Sequence, residues 1–588
     1  MIKPIIRSQT PLLPAEKFFI EKSLELLSNN TIDTYRLRLN NPKTILYELI
    51  SVIDSVNKGS LRSLYVDILN EEALTLFKIE NELVFNSITK GFFQKSLANK
   101  DYNNIYYAAN LIISENPDYT TTLYNLIKAE ISKINQQQTF TFQDLDLLNR
   151  YIQYFYIDLK KYGYNKQYLY NFITAIFMGS NTLTDFEAAF AVVGTLIKRP
   201  LENFSIYIGF NFTGIAEELL KLNSFGLTFI SRKDIEQLAA TINIRFIDFV
   251  CENPNLHFYK IEIEAVDYYT AGRLARKKIQ RVLDLLHIAT DDDIFNMHPI
   301  CFAYGTKAPS KGKTQSLAYQ LDGYISPTID TYKTFIDRYN NISVTSIDPI
   351  TFKKIYSTLR YLRLGTLSTE QEHKLLNYWI AIEYIFSSSN YEDKKTDRLN
   401  EYYKKIHSNS YVRRLFRDLH KAIITMKMDA NISRFNNNDL SYLLEASTKT
   451  EVESFKQRRP LLYYRFNTVL EEFKDSKGIL SEIARHSNNL EWNLTRIYRT
   501  RNEIVHSAAT DIEAIELAAH LKYYLIFTLN ALLTFLLNSP INIDGDKKIT
   551  INDFFLLESL RYDSLIKNDK VTLSDLLKTT NPIEYLQG

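Results

Sequence analysis

The sequence predicts a mainly α-helical protein, in which a helical array with a small α/β unit is followed by a C-terminal helical bundle. Only 16 glycines and 14 prolines interrupt 588 residues, and so few breakers favour long helices over a sandwich or barrel with many turns. Hydrophobic residues make up 45% of the chain and charged residues 23%, which excludes an intrinsically disordered chain. At roughly 150 residues per domain, this length predicts three or four domains.

The first predicted domain, residues 1–240, is a series of amphipathic helices. Apolar and aromatic side chains recur every three or four residues in segments such as AEKFFIEKSLELLSN, NNIYYAANLIISE and FQDLDLLNRYIQYFYIDLKKYGY. Short polar turns, among them ENPDYT and GSNTLT, separate these segments. No fixed period relates one segment to the next, so we predict a helical array that is not a member of a repeat family.

The second predicted domain, residues 241–320, has a different pattern. NIRFIDFVCENP and LHFYKIEIEAVD are rich in β-branched and aromatic residues with partial alternation, which predicts two short strands. The next segment, YYTAGRLARKKIQRVLDLLHIA, has helical spacing and carries Arg273, Lys277 and Arg281 on the face opposite its apolar stripe. We therefore predict a small α/β unit with a basic helix, and place the main boundary near residue 320.

The third predicted domain, residues 321–588, is again helical. Its strongest segments are EQEHKLLNYWIAIEYIFSS, LEWNLTRIYRTRNEIVHSA and DIEAIELAAHLKYYLIFTLNALLTFLL. The apolar stretch 521–537 is shorter than the ~20 residues needed to cross a bilayer, and it contains Lys522 and Asn530. We predict that it is a buried helix of the bundle and that the protein has no membrane span. The proline-interrupted N-terminal residues do not resemble a signal peptide, so a cytoplasmic protein is expected.

Charge and ligand-forming residues exclude several classes of function. There are 70 Lys and Arg against 68 Asp and Glu, a formal net charge of +2. This balance excludes a wholly basic nucleic-acid coat, although a local basic groove stays compatible with it. Cys251 and Cys301 are too few for a disulfide framework or a CxxC zinc site. The nine histidines show no HExxH or other paired metal spacing, so we predict neither a catalytic metal nor a cofactor.

Two apparent ligand-binding motifs lack a required residue. The string GKT at 312–314 would belong to a phosphate-binding P-loop only with a glycine at position 307, where Lys307 stands. A calcium-binding loop around Gly545 would place Pro540 and Ile551 at ligand positions that need oxygen-bearing side chains. Neither a P-loop nor a calcium site is predicted.

The segment from Arg501 to His506 combines a permanent positive charge with a group that exchanges protons. On a continuous helix, Arg501 falls on the same stripe as Ile497 and Ile504 and therefore interrupts an apolar face. A guanidinium at such a position is costly unless a carboxylate accompanies it. Glu383 is the second inward-facing charge in this region, and we predict that it orients and neutralises Arg501.

The neighbouring face of the same helix carries Asn502 and His506, spaced i, i+4, together with Arg499. His506 is the one group here that readily gains or loses a proton near neutral pH. Arg501 and His506 lie five residues apart, about 140° around an ideal helix. Their convergence would need a helix break, a substrate that spans both faces, or a second copy across a dimer axis. On spacing alone, a structural Arg–Glu pair and an inert surface histidine remain the alternative interpretation.

The string RNEIVHSA and the upstream segment WIAIEYIF resemble the HEPN superfamily, whose signature is R-x(4–6)-H near the start of a late helix. Arg501 and His506 match its version with four intervening residues, and Asn502 is the polar residue commonly found after the arginine. Within the superfamily, the two segments are similar to the ApeA-like branch of bacterial anti-phage proteins. The resemblance covers roughly residues 325–588 and implies a HEPN-type helical bundle over the third domain.

The resemblance implies a metal-independent endoribonuclease, in which two HEPN domains pair and bring two motifs into one cleft. His506 would be the general acid or base while a ribose 2′-OH attacks the adjacent phosphate. Arg501 would stabilise the charged transition state, Asn502 would orient the phosphate or His506, and Glu383 would hold Arg501. The products would carry a 2′,3′-cyclic phosphate and a 5′-OH, and DNA would not be cut because it lacks the nucleophile.

The family also implies partners for the chain. The expected partners are RNA, with tRNA as the favoured substrate, a second copy in a homodimer, and a phage-derived trigger sensed by the first 320 residues. The expected RNA contacts are Arg499, Arg273, Lys277 and Arg281. Further basic clusters lie at Arg413, Arg414 and Arg417 and at Arg458 and Arg459. Two alternatives stay open: a non-catalytic HEPN scaffold that binds RNA or a partner protein, and a helical adaptor that binds a phage protein.

Overall fold

The computed structural model contains 23 α-helices, one short 3-10 helix and one five-stranded sheet within the residues that it describes. The mainly helical fold class with a small α/β unit is therefore confirmed. The described residues are 11–28, 40–79, 85, 87–179, 185–197, 199–212, 226–286, 295–305, 312–317, 321, 329–342, 347–387, 395–425, 440–507, 514–537 and 548–578.

The N-terminal part of the chain is helical, as its apolar periodicity predicts. Several of these helices begin at a side-chain cap; for example, Asn41 accepts a hydrogen bond from the backbone N–H of Thr44 at 2.7 Å. The helices are α1 (Pro14–Leu27), α2 (Pro42–Asn57), α3 (Leu64–Ile79), α4 (Ser87–Ala98), α5 (Tyr102–Glu115), α6 (Tyr119–Gln136), α7 (Leu145–Tyr162), α8 (Lys166–Met178) and α9 (Phe186–Gly194).

Strands and helices alternate in the middle of the chain. These elements are β1 (Glu202–Phe212), β2 (Thr228–Ile230), α10 (Arg232–Ile242), α11 (Ile244–Cys251), β3 (His257–Ala265), α12 (Tyr268–Leu286), β4 (Phe295–Gly305) and β5 (Lys313–Ser316).

Helices return in the C-terminal part. They are α13 (Ile329–Asn340), α14 (Pro349–Leu367), α15 (Gln371–Phe386), α16 (Lys395–Asn409), α17 (Tyr411–Thr425), a 3-10 helix (Ser441–Leu444), α18 (Ala446–Ser454), α19 (Pro460–Glu472), α20 (Ser476–Ser507), α21 (Ile515–Leu537), α22 (Ile551–Lys567) and α23 (Leu573–Lys578).

The described residues form two compact units. The first unit joins the described parts of Thr10–Ile157 and Leu321–Gly588, and the second consists of those of Asp158–Gln320. This arrangement differs from the predicted division into 1–240, 241–320 and 321–588, because the second unit begins within α7 and includes β1. Its last residue, Gln320, lies where the sequence pattern places the main boundary.

The second unit is built around an antiparallel sheet with strand order β2-β3-β1-β4-β5. The apolar stripe of α12, which includes Ala275 and Ile279, packs with Ile206 and other inward residues of one sheet face. Residues of α10 and α11 pack on the other face, where Phe246 stacks on Phe302 of β4 with ring centroids 4.0 Å apart. The predicted strand LHFYKIEIEAVD and the helix after it are confirmed as β3 and α12.

Two secondary-structure predictions are wrong in this unit. The segment NIRFIDFVCENP forms α11 instead of a strand, because the Asn243 side chain caps a helix by accepting from the Phe246 N–H at 3.0 Å. Residues 1–240 are not wholly helical, since β1 and β2 lie within them. β1 is buried on both faces, through side chains such as Ile206 and Tyr207. It therefore lacks the clean alternation that reveals a strand covered on one side.

The C-terminal bundle of the first unit has α15 near its centre. The backbone of Ala514, just before α21, donates to Gln371 Oε1 at the start of α15 at 3.2 Å, so these two helices begin at the same end of the bundle. Helix α20 ends at Ser507, and seven residues separate it from the start of α21. The C-terminal turns of α20 therefore lie at the end of the bundle where α15 and α21 begin.

The apolar stretch at 521–537 lies within α21, which is the one helix among the described residues that is long and apolar enough to cross a membrane. Its most apolar window is 78% buried inside the protein. The prediction of a buried bundle helix is confirmed.

Candidate active site

The Arg501–His506 segment forms the last two turns of α20, a helix of 32 residues. This position differs from the HEPN signature, which is expected near the start of a helix. Ile497 is fully buried and Ile504 packs against the core of the bundle, while Arg501 and Asn502 are half-buried and His506 is exposed. No hydrogen bond or ion pair joins the His506 side chain to any described residue. The helix continues without a break through Ser507, so Arg501 and His506 remain about 140° apart around its axis.

The predicted ion pair between Glu383 and Arg501 does not form, which corrects the role assigned to Glu383. The indole Nε1 of Trp379 donates to Glu383 Oε1 at 2.6 Å within α15. The ring of Tyr498 on α20 packs against Trp379 with centroids 5.5 Å apart. An aromatic contact therefore joins the two helices where the carboxylate–guanidinium pair was expected.

Arg501 itself donates from Nη1 to the Asn502 side-chain oxygen at 2.9 Å. Because Arg501 is half-exposed, water can solvate its charge and a carboxylate is not required. Asn502 is thus in contact with Arg501, and its role in orienting the phosphate or His506 stays a prediction.

Arg501 differs from the other three arginines of α20. Arg485 pairs with Glu472 and Glu482, and both Arg496 and Arg499 pair with acidic residues of the N-terminal helices or of α20 itself. No carboxylate of the described residues lies within ion-pair distance of Arg501. Among the arginines of α20, its charge is therefore the one that no described carboxylate neutralises.

Arg499, an expected RNA contact, is held inside the protein. Its side chain is only 12% exposed and its Nη2 donates to Glu48 Oε1 of α2 at 2.5 Å. Burial alone would raise the pKa of Glu48, but the charges of Arg496 and Arg499 outweigh burial and hold that pKa well below its usual range. In this structure Arg499 is a structural ion-pair partner and is not available to RNA.

The other predicted RNA contacts lie on α12, in the second unit. Arg273 and Lys277 are half-buried and Arg281 is exposed, and each already interacts with other groups of the chain. Their neighbour Arg276 is buried, and its Nη1 donates to the backbone oxygen of Leu317 at 2.5 Å. The structure does not bring these residues into the compact unit that contains Arg501 and His506.

The two further basic clusters have mainly structural roles. Arg413 is buried and donates to the backbone oxygen of Leu577, while Arg414 donates to the Tyr523 hydroxyl at 3.0 Å. Arg459 pairs with Glu21 of α1 at 3.2 Å. Arg458 is exposed.

Ligands for a metal ion are not grouped in the described part of the chain, where no three His, Cys, Asp or Glu side chains are placed to share an ion. A metal-free reaction remains a prediction. Lys307 of the failed P-loop motif and Pro540 and Gly545 of the failed calcium motif lie outside the described residues.

One set of exposed residues escaped the sequence prediction. Lys353, Tyr356, Arg360 and Arg363 lie on the outer face of α14, and we name them the α14 basic stripe. The signal is present in the sequence, because α14 contains four cationic residues and no acidic residue. The signal is weak because these cations are spread along the helix, so that they share a face only at helical spacing.

Comparisons with known proteins give no match to this chain. No protein-family model matches the chain, and neither a curated protein nor a solved structure matches it.

Proposed function

We propose that this chain is a HEPN-type, metal-independent endoribonuclease that acts as an effector of abortive infection in anti-phage defence. The observation that carries the proposal is the charge of Arg501, which no described carboxylate neutralises, five residues before the exposed His506. Every other arginine of α20 is paired with a carboxylate. A guanidinium without a carboxylate partner is suited to bind a phosphate.

The proposed reaction breaks the bond between phosphorus and the 5′-oxygen of the next nucleotide. A histidine takes the proton from the ribose 2′-OH, the 2′-oxygen bonds to phosphorus, and a proton is delivered to the departing 5′-oxygen. Arg501 stabilises the negative charge that accumulates on the phosphate oxygens, and Asn502 holds the guanidinium through the 2.9 Å hydrogen bond. The products are a 2′,3′-cyclic phosphate and a 5′-OH.

A second copy of the chain completes the site in this proposal. One continuous α20 presents Arg501 and His506 on different faces, so one copy does not direct both side chains at the same phosphate. Two copies related by a twofold axis would supply the arginine and the histidine from opposite sides. Val505, an apolar side chain 46% exposed between the motif residues, gives such a dimer a surface to cover.

The biological role rests on the resemblance to ApeA-like HEPN proteins. On that basis we propose tRNA as the favoured substrate and a phage-derived molecule as the trigger. The non-catalytic scaffold and the helical adaptor are the competing functions, and the absence of RNA cleavage by purified protein with phage lysate would favour them.

Cleavage of total RNA in EDTA tests the proposal. The wild type is expected to generate fragments with 2′,3′-cyclic phosphate ends, whereas Arg501→Ala and His506→Ala should lower the rate by at least ~100-fold. Arg501→Lys should also be impaired, because an ammonium lacks the planar fork of the guanidinium. Matched controls are Arg458→Ala, at an exposed arginine, and His298→Ala, at a half-buried histidine of the second unit.

Two outcomes would overturn the assignment. Unchanged cleavage by His506→Ala would place the reaction elsewhere in the protein. Loss of cleavage in EDTA would contradict a metal-free mechanism. A third outcome, RNA binding by the wild type without any cleavage, would support the non-catalytic scaffold instead.

A further inference from the structure

Helix α14 presents a row of large side chains away from the bundle. Lys353, Tyr356, Arg360, Arg363 and Leu367 follow one another at steps of three, four, three and four residues, which places them on one helix face. All five are exposed, and Tyr356 is 62% exposed. The cations from Lys353 to Arg363 cover about 15 Å of the helix at 1.5 Å per residue.

The opposite face of α14 fixes the direction in which this stripe points. Ile355, Thr358 and Gly365 are buried, and the Thr358 hydroxyl donates to the backbone oxygen of Ala381 in α15 at 3.2 Å. Gly365 lies so close to the ring of Tyr378 that an added Cβ would be 2.5 Å from it. Helix α14 therefore cannot rotate to bury the stripe without losing these contacts.

The charge of the stripe is not neutralised within the described protein. Lys353, Arg360 and Arg363 make no ion pair with any described residue, in contrast to the buried Arg496 and Arg499. The three cations of the stripe lie on a helix of 19 residues that contains no acidic residue, so they repel one another and favour an anionic partner.

Lys354, the fourth cation of α14, is half-buried and has a different role. Its Nζ donates to the backbone oxygen of Ser387. Burial, and then the charge of Arg398, lowers its pKa to about 8. The cationic group of Arg398 thus adds to the positive potential on this side of the bundle.

We propose that the α14 basic stripe binds a single-stranded segment of RNA, with Lys353, Arg360 and Arg363 on its phosphates and Tyr356 stacked on a base. Three cations along about 15 Å of one helix face can contact several phosphates of one strand. An exposed aromatic ring between cations is the arrangement that holds unpaired bases. A purely electrostatic contact with an acidic protein would not use the ring. The choice of RNA over other polyanions rests on the proposed function.

The test measures binding separately from cleavage. Full-length protein carrying His506→Ala, which keeps the RNA intact, is titrated into a fluorescein-labelled, unstructured RNA of about 20 nucleotides at several salt concentrations. Adding Lys353→Gln, Arg360→Gln and Arg363→Gln together should weaken binding on the order of tenfold or more. It should also reduce the slope of log K against log salt by about 2, at ~0.7 per phosphate.

Two further variants sharpen the test. Tyr356→Ala should weaken binding by about tenfold with an unchanged salt slope, because it removes stacking without removing charge. The matched control Lys58→Gln, Lys95→Gln and Lys477→Gln removes the same charge from exposed positions of the first unit and should leave the slope unchanged. Circular dichroism confirms that each variant is folded.

Equal binding by the stripe variant and its parent would overturn the proposal, as would an absence of RNA binding by the parent. Tighter, stripe-dependent binding to duplex DNA or to anionic phosphatidylserine vesicles would assign the stripe to another partner. The two proposals fail in different ways. Cleavage unaffected by Arg501→Ala contradicts the proposed function, whereas loss of cleavage by Arg501→Ala with full RNA binding by the stripe variant contradicts only the stripe.

Discussion

Glu48 of α2 accepts a hydrogen bond on each carboxylate oxygen from Nε of Arg496, both at 3.0 Å, although 448 residues separate the two in the chain. The same carboxylate accepts from Arg499, and Arg496 also pairs with Glu72 of α3. The Tyr65 ring of α3 stacks with Tyr498 near these pairs, with centroids 6.3 Å apart. The N-terminal helices thus hold the helix that carries the candidate catalytic residues.

Glu48→Gln should strongly destabilise the first unit. The amide cannot neutralise Arg496 and Arg499, whose side chains are 8% and 12% exposed. Arg499 would keep only the more exposed carboxylate of Glu503, at 3.9 Å. A loss of about 3–5 kcal/mol in the free energy of unfolding is expected when one partner of a buried ion pair is removed.

Urea denaturation followed by circular dichroism measures this change. Glu71→Gln removes an exposed carboxylate of the neighbouring helix and is expected to change stability by less than ~0.5 kcal/mol. Equal stability of the two variants would show that the Glu48 network contributes little.

Glu383→Gln should have little effect on RNA cleavage. The Trp379 indole donates to Glu383 Oε1, and a glutamine oxygen can accept the same hydrogen bond. Because Arg501 does not pair with Glu383 in this structure, removing the negative charge should alter the cleavage rate less than ~3-fold, a free-energy change below ~0.7 kcal/mol.

Single-turnover cleavage rates of Glu383→Gln and Arg501→Ala, measured side by side, check this expectation. A loss for Glu383→Gln as large as that for Arg501→Ala would restore the role that the sequence predicts for the carboxylate.

Two buried histidines should make the protein less stable as the pH falls below about 6.5. His407 is fully buried, and the His486 ring stacks on Tyr411 with centroids 4.0 Å apart. Burial, and then the charge of Arg414, lowers the pKa of both histidines well below 6.5. The unfolded chain therefore binds more protons below pH 6.5, and each histidine lowers the free energy of unfolding by up to ~1.4 kcal/mol per pH unit.

Two carboxyl groups have the opposite effect on stability over part of this range. Burial raises the pKa of Glu21 and of Glu482 to about 7. The stability that these two protonated carboxyl groups contribute is complete below pH 4.5 and is lost as the pH rises through 7.

The histidine effect is therefore measured as the difference between the wild type and His486→Gln in urea denaturation between pH 7.5 and pH 5. The wild type should lose more stability than the variant, and parallel curves would contradict the prediction. His373→Gln, at an exposed position, is the control.

Two helical glycines should respond to alanine with opposite signs. An added Cβ at Gly365 would lie 2.5 Å from the Tyr378 ring, whereas at Gly91 it would have no neighbour within 4 Å. Gly365→Ala is expected to destabilise by about 1–3 kcal/mol through overpacking, and Gly91→Ala to stabilise by about 0.5–1 kcal/mol through its higher helix propensity. Thermal unfolding checks both. An equal rise in melting temperature for the two variants would show that α14 and α15 can move apart without cost.

Much of the fold was predictable because it depends on local spacing. The long helices and β3 each show their hydrophobic periodicity within one stretch of sequence. The apolar α21 was correctly predicted to lie in the core. β1 and α11 were missed for a related reason. Ile206 and Tyr207 are buried on opposite faces of the sheet, so β1 shows no alternation, and a short apolar run such as that of α11 is compatible with either structure.

The candidate site was predictable only in part. By itself, the sequence determined that Arg501, Asn502 and His506 share one helix, because their relative positions follow from helical geometry. Only the structure placed them in the last turns of that helix. Only the tertiary structure decided that Tyr498 packs against Trp379 and that Glu48 engages Arg499. The partner of a charged side chain depends on which helices pack together, and residues hundreds of positions apart carry no local pattern that reveals this packing.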